Sequence, residues 1–486
     1  MRKIAILFLV LFASLFVRGQ EMWGVVGTNY SGSNSALLNP ALMHGSKLYM
    51  DINLLTADMF AESNYLFIPR EDYRPGLYLQ EGAELPTYGR KNQSFDHYTE
   101  ERRYSAYSNI FAKGPSAMLV YNQHAFGIHT AGRTVVSGNQ LPYDITNFAY
   151  ESLDYYPQWN VNYIDDDFSF GAMAWGEIGL SYANLFYKYG FDQWSAGLTV
   201  KYLMGFSGAY LRVDNLDYLV LNDSTVDIRN MDAEAGFALP IGLNNNDFPD
   251  GPNFKGSGVG LDLGITYTRM RQGHSNRKYR QLCKQPHKDY IYRIGFSILD
   301  LGGISFKNNA QKHAYDGVSH YWPQIDTLTY SNVNNLAAEL SNRFYGDPTA
   351  SLLAEQMRMS LPTALSLQFD YHYFENWYIG GAFIYPIMFS NSYLKRPAQI
   401  AAIPRYESRH FELSVPLSLY EFTKPRIGLA ARVYFITVGT DKLGSYLGMS
   451  DFTGADLYFS IKINFGKGFC GKQMGATCDG SVYGNY

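Results

Sequence analysis

The sequence predicts an all-β fold: a single antiparallel transmembrane β-barrel of about fourteen strands, with an N-terminal plug or hatch and long outer loops. Three observations predict it. The chain begins with the pattern of an export signal, many of its segments alternate apolar and polar residues, and its connections alternate between short and long. Together they predict the outer membrane of a Gram-negative cell as the location.

The first residues have the pattern of a cleaved signal peptide. Arg2 and Lys3 form a positive start, Ile4 to Val17 is apolar apart from one serine, and cleavage is expected directly after Gly19. A membrane anchor is the alternative, but the apolar run is shorter than the ~20 residues that a spanning helix needs. We therefore expect residues 1–19 to be removed on export.

Alternation is clearest in the last predicted strand. One face carries Leu457, Phe459, Ile461, Ile463 and Phe465, and the other carries Tyr458, Ser460, Lys462 and Asn464. Successive side chains of a strand point to opposite faces, so this strand has an apolar side for lipid and a polar side for a lumen. Its terminal aromatic residue is also typical of barrels that are recognised for assembly.

The same alternation recurs upstream, in segments 196–202, 259–267, 365–373, 411–419 and 427–435. A soluble antiparallel sheet with one wet face would show a similar pattern. We favour the barrel because the polar faces are rich in Gly, Ser and Thr, and because an export signal precedes them.

Connection lengths predict the topology and the strand number. Short inner turns are predicted at 122–124, 189–193, 374–376 and 422–424. Long outer segments are predicted at 58–114, 137–171, 308–361, 388–409 and 439–454. An even number of strands brings both chain ends to the periplasm. The predicted strands cover 47–57, 115–121, 125–136, 173–187, 194–212, 224–238, 258–269, 290–299, 303–307, 362–373, 377–387, 410–421, 425–438 and 456–465. If 299–302 is a bulge and 224–238 is loop, the number falls to about twelve.

The predicted divisions of the chain are the signal peptide 1–19, the plug or strap 20–46, the barrel 47–465 and a periplasmic tail 466–486. Helical periodicity across 331–345 predicts a short amphipathic helix in an outer loop. In the tail, Cys470 and Cys478 are close enough in sequence to form a disulfide, which would leave Cys283 alone. Three unpaired thiols are the alternative.

Composition and motifs exclude several classes of function. The net charge of -4 shows no excess of basic residues of the kind that nucleic-acid binding requires. Because no nucleophile motif, phosphate loop or zinc spacing is present, we predict no enzyme activity and no cofactor. Asp165 to Asp167 offer the oxygen ligands that calcium uses, but a solvated acidic run is the commoner explanation. Lone histidines such as His129 and His372 are interpreted as polar residues that face the lumen.

A basic stretch predicts a contact with the membrane surface. It comprises Arg277, Lys278, Arg280, Lys284 and Lys288. We place it on an outer loop, where it can meet the phosphates of lipopolysaccharide, with a solvated loop as the alternative. Outer-membrane lipid is the expected surrounding of the barrel itself.

One early motif resembles that of the long-chain fatty-acid outer-membrane transporters. Asn39, Pro40 and Ala41 follow a run of small residues and precede the first strand, and segments 298–304 and 361–362 are also similar to that family. The resemblance implies a barrel of about fourteen strands that is plugged by an N-terminal hatch, with the Asn-Pro-Ala motif in the hatch region.

A closer resemblance is to an uncharacterised family of Bacteroidota outer-membrane barrels, a domain of unknown function. It is carried by segments 114–118 with Arg133, 174–180, 260–264 and 451–456. These segments are spread over nearly the whole mature chain and occur in the family's order. The resemblance implies location and fold, and it supplies no substrate.

The lumen is the remaining candidate site. The charged residues on the faces predicted to point inward are Glu177, Lys201, Asp262, Arg293, Asp370, Glu412 and Arg432. They can pair across the barrel and hold a hatch, or they can line a solute path. Pairing is favoured because buried charges normally need partners.

Two functions remain open. The first is hatch-gated uptake or binding of hydrophobic small molecules, which the Asn-Pro-Ala resemblance implies. The second is a non-transporting scaffold or accessory subunit of an envelope or secretion complex, with a protein partner, which the long outer loops and the cysteine-bearing tail suggest. A continuous apolar pocket ending at a gap in the wall would favour uptake, whereas a lumen filled by its own side chains would favour the scaffold. A lipase lacks any Ser–His arrangement.

Overall fold

The computed structural model describes residues 21–70, 95–243, 253–271, 289–327, 331–389 and 392–465. The predictions for the signal peptide, the basic stretch and the three cysteines lie outside these residues.

Alternating side chains build one closed antiparallel barrel of fourteen strands, several of them interrupted by bulges or short breaks. The strands are β1 Met50–Ser63, β2 Tyr104–Tyr121, β3 His124–Leu141, β4 Asn162–Tyr189, β5 Asp192–Asn222, β6 Thr225–Ala238 with Gly256–Met270, β7 Tyr290–Phe306 with Ala310–Trp322, β8 Leu352–Ala354 with Met357–Ser360 and Ala364–Phe374, β9 Trp377–Pro386, β10 Gln399–Glu407, β11 Phe411–Ser414 with Leu417–Tyr420, β12 Lys424–Ile427 with Leu429–Val433, β13 Ile436–Thr440 and β14 Gly454–Phe465. The ring closes where Met50 of β1 pairs with Phe465 of β14. A two-stranded ribbon, Leu66–Phe67 with Asp96–His97, lies outside the ring.

The exterior of the wall is apolar and the interior is polar. On β5, Leu198, Val200 and Tyr202 are exposed, whereas the intervening Thr199 and Lys201 are buried. The same contrast recurs around the ring, since a lipid-facing surface must be apolar while the inner face has polar partners. The barrel therefore has the surface of a membrane-spanning wall. Within the described residues, no helix is long and apolar enough to cross a membrane.

The two ends of the barrel differ. At one end, which we call the short-turn end, β2 turns into β3 at Asn122 and β4 turns into β5 at Gly190. Met50 and Phe465 lie at this end as well, because Met50 also pairs with Leu119 of β2. The opposite, long-loop end carries the connections 64–103, 142–161, 323–351, 387–398 and 441–453.

The wall is much taller on one side than on the other. Strands β4 and β5 have 28 and 31 residues, whereas β9 and β10 have 10 and 9. A barrel strand crosses a bilayer with about 9–11 residues. The short side is therefore only as high as a membrane, and the tall side, β4 to β7, extends beyond it at the long-loop end.

Short helices cover the long-loop end and fill the lumen. They are α1 Trp23–Val26, α2 Tyr143–Glu151, α3 Val333–Tyr345 and α4 Leu443–Tyr446, with single 3-10 turns at Gly32–Leu37, Pro40–Gly45, Tyr156–Gln158 and Ile325–Thr327. The predicted helix at 331–345 is present as α3, with Asn332 as its N-cap. Its Leu340 and Phe344 pack against Val213 and Tyr315 of the tall side.

The predicted strand number is confirmed, but through errors that offset one another. Segments 224–238 and 258–269 belong to one strand, and segments 290–299 and 303–307 also belong to one. In the second case the expected turn is a bulge, where Asp300 and Gly302 have positive φ angles of 55° and 141°. The chain pairs with β6 on both sides of the bulge, with the register shifted between Ile298 and Leu301, so it continues in the same direction instead of reversing.

Two strands were missed by the alternation analysis. β10 lies in the predicted loop 388–409, because its Ala-rich stretch and Pro404 lack a clear apolar and polar alternation. The predicted strand 425–438 is two strands, β12 and β13, which reverse at Tyr434 with a φ of 50°. The predicted inner turn 422–424 therefore lies at the long-loop end.

The end of β6 and the start of β7 meet at the short-turn end, where Met270 pairs with Tyr290. Arg269 pairs there with Asp192, close to the turn at Gly190. The basic stretch between these two strands lies outside the described residues, so its predicted place on an outer loop stays a prediction.

Candidate functional site

The N-terminal segment Glu21–Gly45, here called the plug, lies inside the ring. It contacts strands on every side: Ser33 bonds Asp51 of β1, Asn29 bonds Glu407 of β10, and Trp23 bonds Asp441 after β13. The plug is rich in Gly, Ser and Asn and has no period-two alternation, so it forms tight 3-10 turns rather than a strand. Most of it is buried.

The Asn-Pro-Ala motif attaches the plug to the wall. Asn39 is fully buried, and its Oδ1 accepts a hydrogen bond of 2.9 Å from the backbone N–H of Ala41. Its Nδ2 donates to Gln368 Oε1 at 2.9 Å and to the backbone carbonyls of Ile265 and Phe296 at 3.3 and 3.2 Å. One amide side chain thereby caps the following turn and binds three neighbouring strands.

Glycines of the wall make room for this motif. A Cβ atom on Gly197 would lie 2.4 Å from the backbone N of Ala41, and one on Gly264 would lie 2.0 Å from Asn39 Oδ1. Both distances are far below van der Waals contact, so any side chain there would displace the plug. These glycines are functional residues that sequence reasoning missed, although each stands on the predicted inner face of its strand.

Charged residues of the upper lumen form one connected network. Lys201 contacts Asp262 at 2.8 Å and Asp300 at 2.7 Å, and Arg133 contacts Asp300 at 2.9 Å. The bulge at Asp300 turns this carboxylate toward two bases on different strands. Two of the predicted lumen residues are thus brought together, while Asp300 and Arg133 were not predicted as part of the site.

Arg396 joins this network to the plug. Its guanidinium binds both carboxylate oxygens of Glu21 at 2.7 Å and lies 3.6 Å from Asp300. Paired N–H groups match a carboxylate in geometry as well as charge, which makes this the strong form of an ion pair. The start of the plug is therefore tied to the connection between β9 and β10.

That connection folds into the barrel mouth; we call residues 392–398 the latch. Tyr393 stacks on Tyr210 of the tall side, with ring centres 3.6 Å apart and planes 8° apart. Both hydroxyls donate to Glu234 Oε1, at 2.9 and 2.8 Å. The backbone N–H of Lys395 donates to the hydroxyl of Ser137 at 3.2 Å. The latch therefore bridges both sides of the mouth above the plug.

A second network lies nearer the short-turn end. Asp370 contacts Arg293 at 3.1 Å and Arg405 at 2.8 Å, and Arg405 also contacts Glu407 at 2.6 Å. Glu407 Oε2 in turn accepts a bond of 2.8 Å from the side chain of Asn29 in the plug. Arg405 and Glu407 stand on β10, so they could not be found while that strand was interpreted as a loop.

The remaining predicted lumen residues are also buried and paired. Glu412 contacts Arg432 at 3.1 Å, and Arg432 lies 4.6 Å above the ring of Tyr30 in the plug. Glu177 accepts a bond of 3.2 Å from Trp175 and lies 3.5 Å from His129. Arg432 therefore contacts the plug, whereas Glu177 is paired within the wall.

Two lysines hold the plug by its backbone. Lys113 Nζ donates to the carbonyl of Ser33 at 2.8 Å, and Lys462 Nζ donates to the carbonyl of Ser31 at 2.9 Å. The 3-10 turns leave these carbonyls without a full set of internal partners, so charged donors from the wall satisfy them.

One part of the inner wall is apolar instead. This apolar sector consists of Ala364, Ala382, Ile384, Ala401, Ile403 and Ala430 on β8, β9, β10 and β12. The plug covers it with Trp23, Val25, Val26, Leu38 and Leu42. Contact is close, since a Cβ on Gly24 would lie 2.1 Å from the Cβ of Ala430.

The cavities between plug and wall are small. One of about 30 Å³ borders the apolar sector and is lined by Trp23, Gly27, Leu38 and the wall glycines Gly380 and Gly381. Another of about 40 Å³ lies beside the Asp300 network. Because a single water needs ~10–15 Å³ measured in this way, each has room for only a few waters. At these two places the plug packs closely against the wall.

The predicted acidic run does not form a metal site. Asp165 accepts a bond from Tyr218, and Asp166 pairs with Arg103. Within the described ranges, no group of three or more His, Cys, Asp or Glu side chains is arranged to hold a metal ion.

Residues 40–441 match the family described as "Family of unknown function (DUF5723)". The chain belongs to this family. Membership of an uncharacterised family, predicted from the short segments along the chain, is thereby confirmed, while the Bacteroidota origin remains a prediction. The match of the DUF5723 family begins at Pro40 and so includes only the last six residues of the plug, together with most of the wall. The sequence matches no curated protein.

Solved structures similar to this DUF5723 chain are channels of low sequence identity. The TodX deltaS2S3 mutant monoaromatic hydrocarbon channel has a TM-score of 0.43 at 10% identity, covering 91% of this chain and 97% of that chain. A Pseudomonas aeruginosa FadL homologue has a TM-score of 0.38 at 10% identity, with coverages of 93% and 99%. The Pseudomonas putida toluene transporter TodX has a TM-score of 0.29 at 10% identity, with coverages of 93% and 99%.

Proposed function

We propose that this chain is an outer-membrane barrel, with its long-loop end outside the cell, that binds a hydrophobic small molecule at the apolar sector and admits it when the plug moves. The observation that carries the proposal is the apolar sector itself. The inner face of a membrane barrel is normally polar, yet here Ala382, Ile384 and Ile403 point inward. The proposal assigns no catalytic step to the chain.

The plug occupies the place that such a ligand would take. Trp23, Leu38 and Leu42 cover the apolar sector with side chains that an apolar molecule can replace without exposing the sector to water. Burial of apolar surface stabilises a complex by about 25 cal/mol per Å². The plug and an apolar ligand that bury similar areas would therefore bind the apolar sector with similar strength. Polar contacts elsewhere, such as Asn39, hold the rest of the plug in place during that exchange.

The experiment uses a glycine that borders the apolar cavity. A Cβ on Gly27 would meet nothing within 4 Å, so Gly27→Leu can fill the cavity without strain. We expect wild-type protein, purified from native membranes in detergent, to retain an apolar compound detectable by mass spectrometry and to bind an apolar fluorescent naphthylamine. The Gly27→Leu variant should lose both.

The matched control is Gly132→Leu. Gly132 also has open space around its Cβ position, but it stands on the exposed face of β3. This variant should bind as the wild type does. Folded wild-type protein that carries no apolar compound and ignores the naphthylamine would contradict the proposal.

The second candidate is a scaffold or accessory subunit of an envelope complex, and the close packing of the plug against the wall favours it. The two cavities described above, of about 30 and 40 Å³, are too small for a solute. Under this alternative a protein partner should copurify in fixed ratio from native membranes, with Gly27→Leu having no effect on its recovery.

A further inference from the structure

The cavity beside the Asp300 network contains oxygen atoms that lack partners. Asp58 on β1 and Asn109 on β2 both line this cavity of about 40 Å³ and are 1% and 5% exposed. Oδ1 of Asp58 and Oδ1 of Asn109 have no hydrogen-bond donor. Their other side-chain atoms meet only each other, with Asn109 Nδ2 3.5 Å from Asp58 Oδ2.

The charges that line the cavity do not balance. Its acidic residues are Glu21, Asp58, Asp262 and Asp300, and its basic residues are Arg133, Lys201 and Arg396. Four acids face three bases, which leaves one negative charge in excess when all seven groups are ionised. The ion pairs show which acid is left over, because Glu21, Asp262 and Asp300 each contact a base whereas Asp58 contacts none among the described residues.

We infer that this cavity is a site for one monovalent cation, bound by the Asp58 carboxylate and the Asn109 amide oxygen. An unpaired buried carboxylate is costly, and a single positive charge removes that cost. Carboxylate and amide oxygens suit a hard cation. The volume has room for a cation with one or two waters, at ~10–15 Å³ each.

The cation in this site would be an alkali ion from solution. This inference does not depend on the proposed function, because it requires neither a ligand at the apolar sector nor movement of the plug.

Thermal unfolding of the purified barrel in detergent tests the site. Protein equilibrated in choline chloride is compared with protein in LiCl, NaCl or KCl at equal ionic strength. We expect one alkali cation to raise the wild-type Tm saturably, by at least about 2 °C. Asp58→Asn should abolish this rise and, in choline chloride, should be at least as stable as the wild type, because the excess charge is gone.

Glu412→Gln is the matched control. Glu412 is also a buried carboxylate with an unpartnered oxygen, Oε1, but it does not line this cavity. Its variant should keep the cation-dependent rise. Asn109→Leu, which removes the amide ligand, should weaken it, so the test does not rest on a single substitution.

If no alkali ion distinguishes the wild type from Asp58→Asn, Asp58 is neutral or the cavity holds only water, and the inference is wrong.

Discussion

Single buried side chains in this lumen carry several contacts each. Arg405 is 2% exposed, contacts two carboxylates, and lies 5.2 Å above the ring of Tyr378. Asn39 binds its own turn and three strands through four hydrogen bonds. Losing one partner of such a group leaves the others buried and unsatisfied, which costs more than the bond itself contributes.

Gly264→Ala should loosen the plug. The new Cβ would lie 2.0 Å from Asn39 Oδ1, so the Asn-Pro-Ala motif must shift and lose its bonds to the wall. We expect a loss of about 1–3 kcal/mol in the free energy of unfolding, measured by denaturant titration in detergent. Gly381→Ala is the control, since its Cβ would meet its nearest neighbour at an ordinary 3.7 Å. Equal effects of the two variants would show that the glycine site does not position the plug.

Arg396→Met should destabilise the start of the plug. It leaves the buried Glu21 carboxylate without a basic partner and removes one of the bases near the Asp300 carboxylate. A broken buried pair costs about 3–5 kcal/mol, whereas removing both charges is far less costly. Glu21→Gln combined with Arg396→Met should therefore recover part of the loss, as measured by a double-mutant cycle on unfolding. If the losses of unfolding free energy caused by the two substitutions simply add, Glu21 and Arg396 are not directly coupled.

At the scale of elements, the strands divide the barrel into a tall side and a short side. The outer parts of β4 to β7 are paired with one another and carry α3, so they form a sheet that stands beyond the membrane. The short side ends at membrane height and continues into the latch. The latch therefore reaches across the mouth to the tall side rather than upward.

Cysteine labelling can test this orientation. Ile164 at the top of β4 is 68% exposed, and Tyr189 at its lower end is 74% exposed. In a chain whose native cysteines are replaced by serine, a membrane-impermeant maleimide should label Ile164→Cys on intact cells. Tyr189→Cys should react only after the cells are opened. The reverse pattern would invert the proposed orientation.

For the whole molecule, the plug, the latch and the ion pairs make a closed barrel. Cavities of about 30 and 40 Å³ cannot pass a solute. Any transport must therefore begin with movement of the plug, and any such movement must break contacts such as the Glu21–Arg396 pair and the stacking of Tyr393 on Tyr210.

Planar-bilayer recordings should show this closure. Wild-type protein should give no steady conductance, whereas deletion of residues 21–45 should open a pore. Tyr393→Ala, which removes the stacked ring and one bond to Glu234, should give brief openings. Gly132→Ala on the exposed face is the control and should remain closed. Steady conductance of the wild type would contradict a filled lumen.

The sequence by itself determined the class of fold and the identity of many inner residues. Period-two alternation depends only on neighbours along one strand, so Lys201, Asp262 and Asp370 could be placed on inward faces without knowledge of their partners. The Asn-Pro-Ala motif was singled out by resemblance, and the structure shows what it contacts. Strands with weak alternation, such as β10, were lost together with Arg405 and Glu407.

Only the tertiary structure decided which groups meet. Asp300 stands in a bulge whose local sequence predicts a turn. The bases that pair with its carboxylate come from β3, β5 and the latch. Gly197 and Gly264 matter because a plug residue far away in sequence presses against them. Register around a closed ring, and the path of a plug through it, depend on contacts between residues hundreds of positions apart, and those contacts leave no periodic trace in the chain.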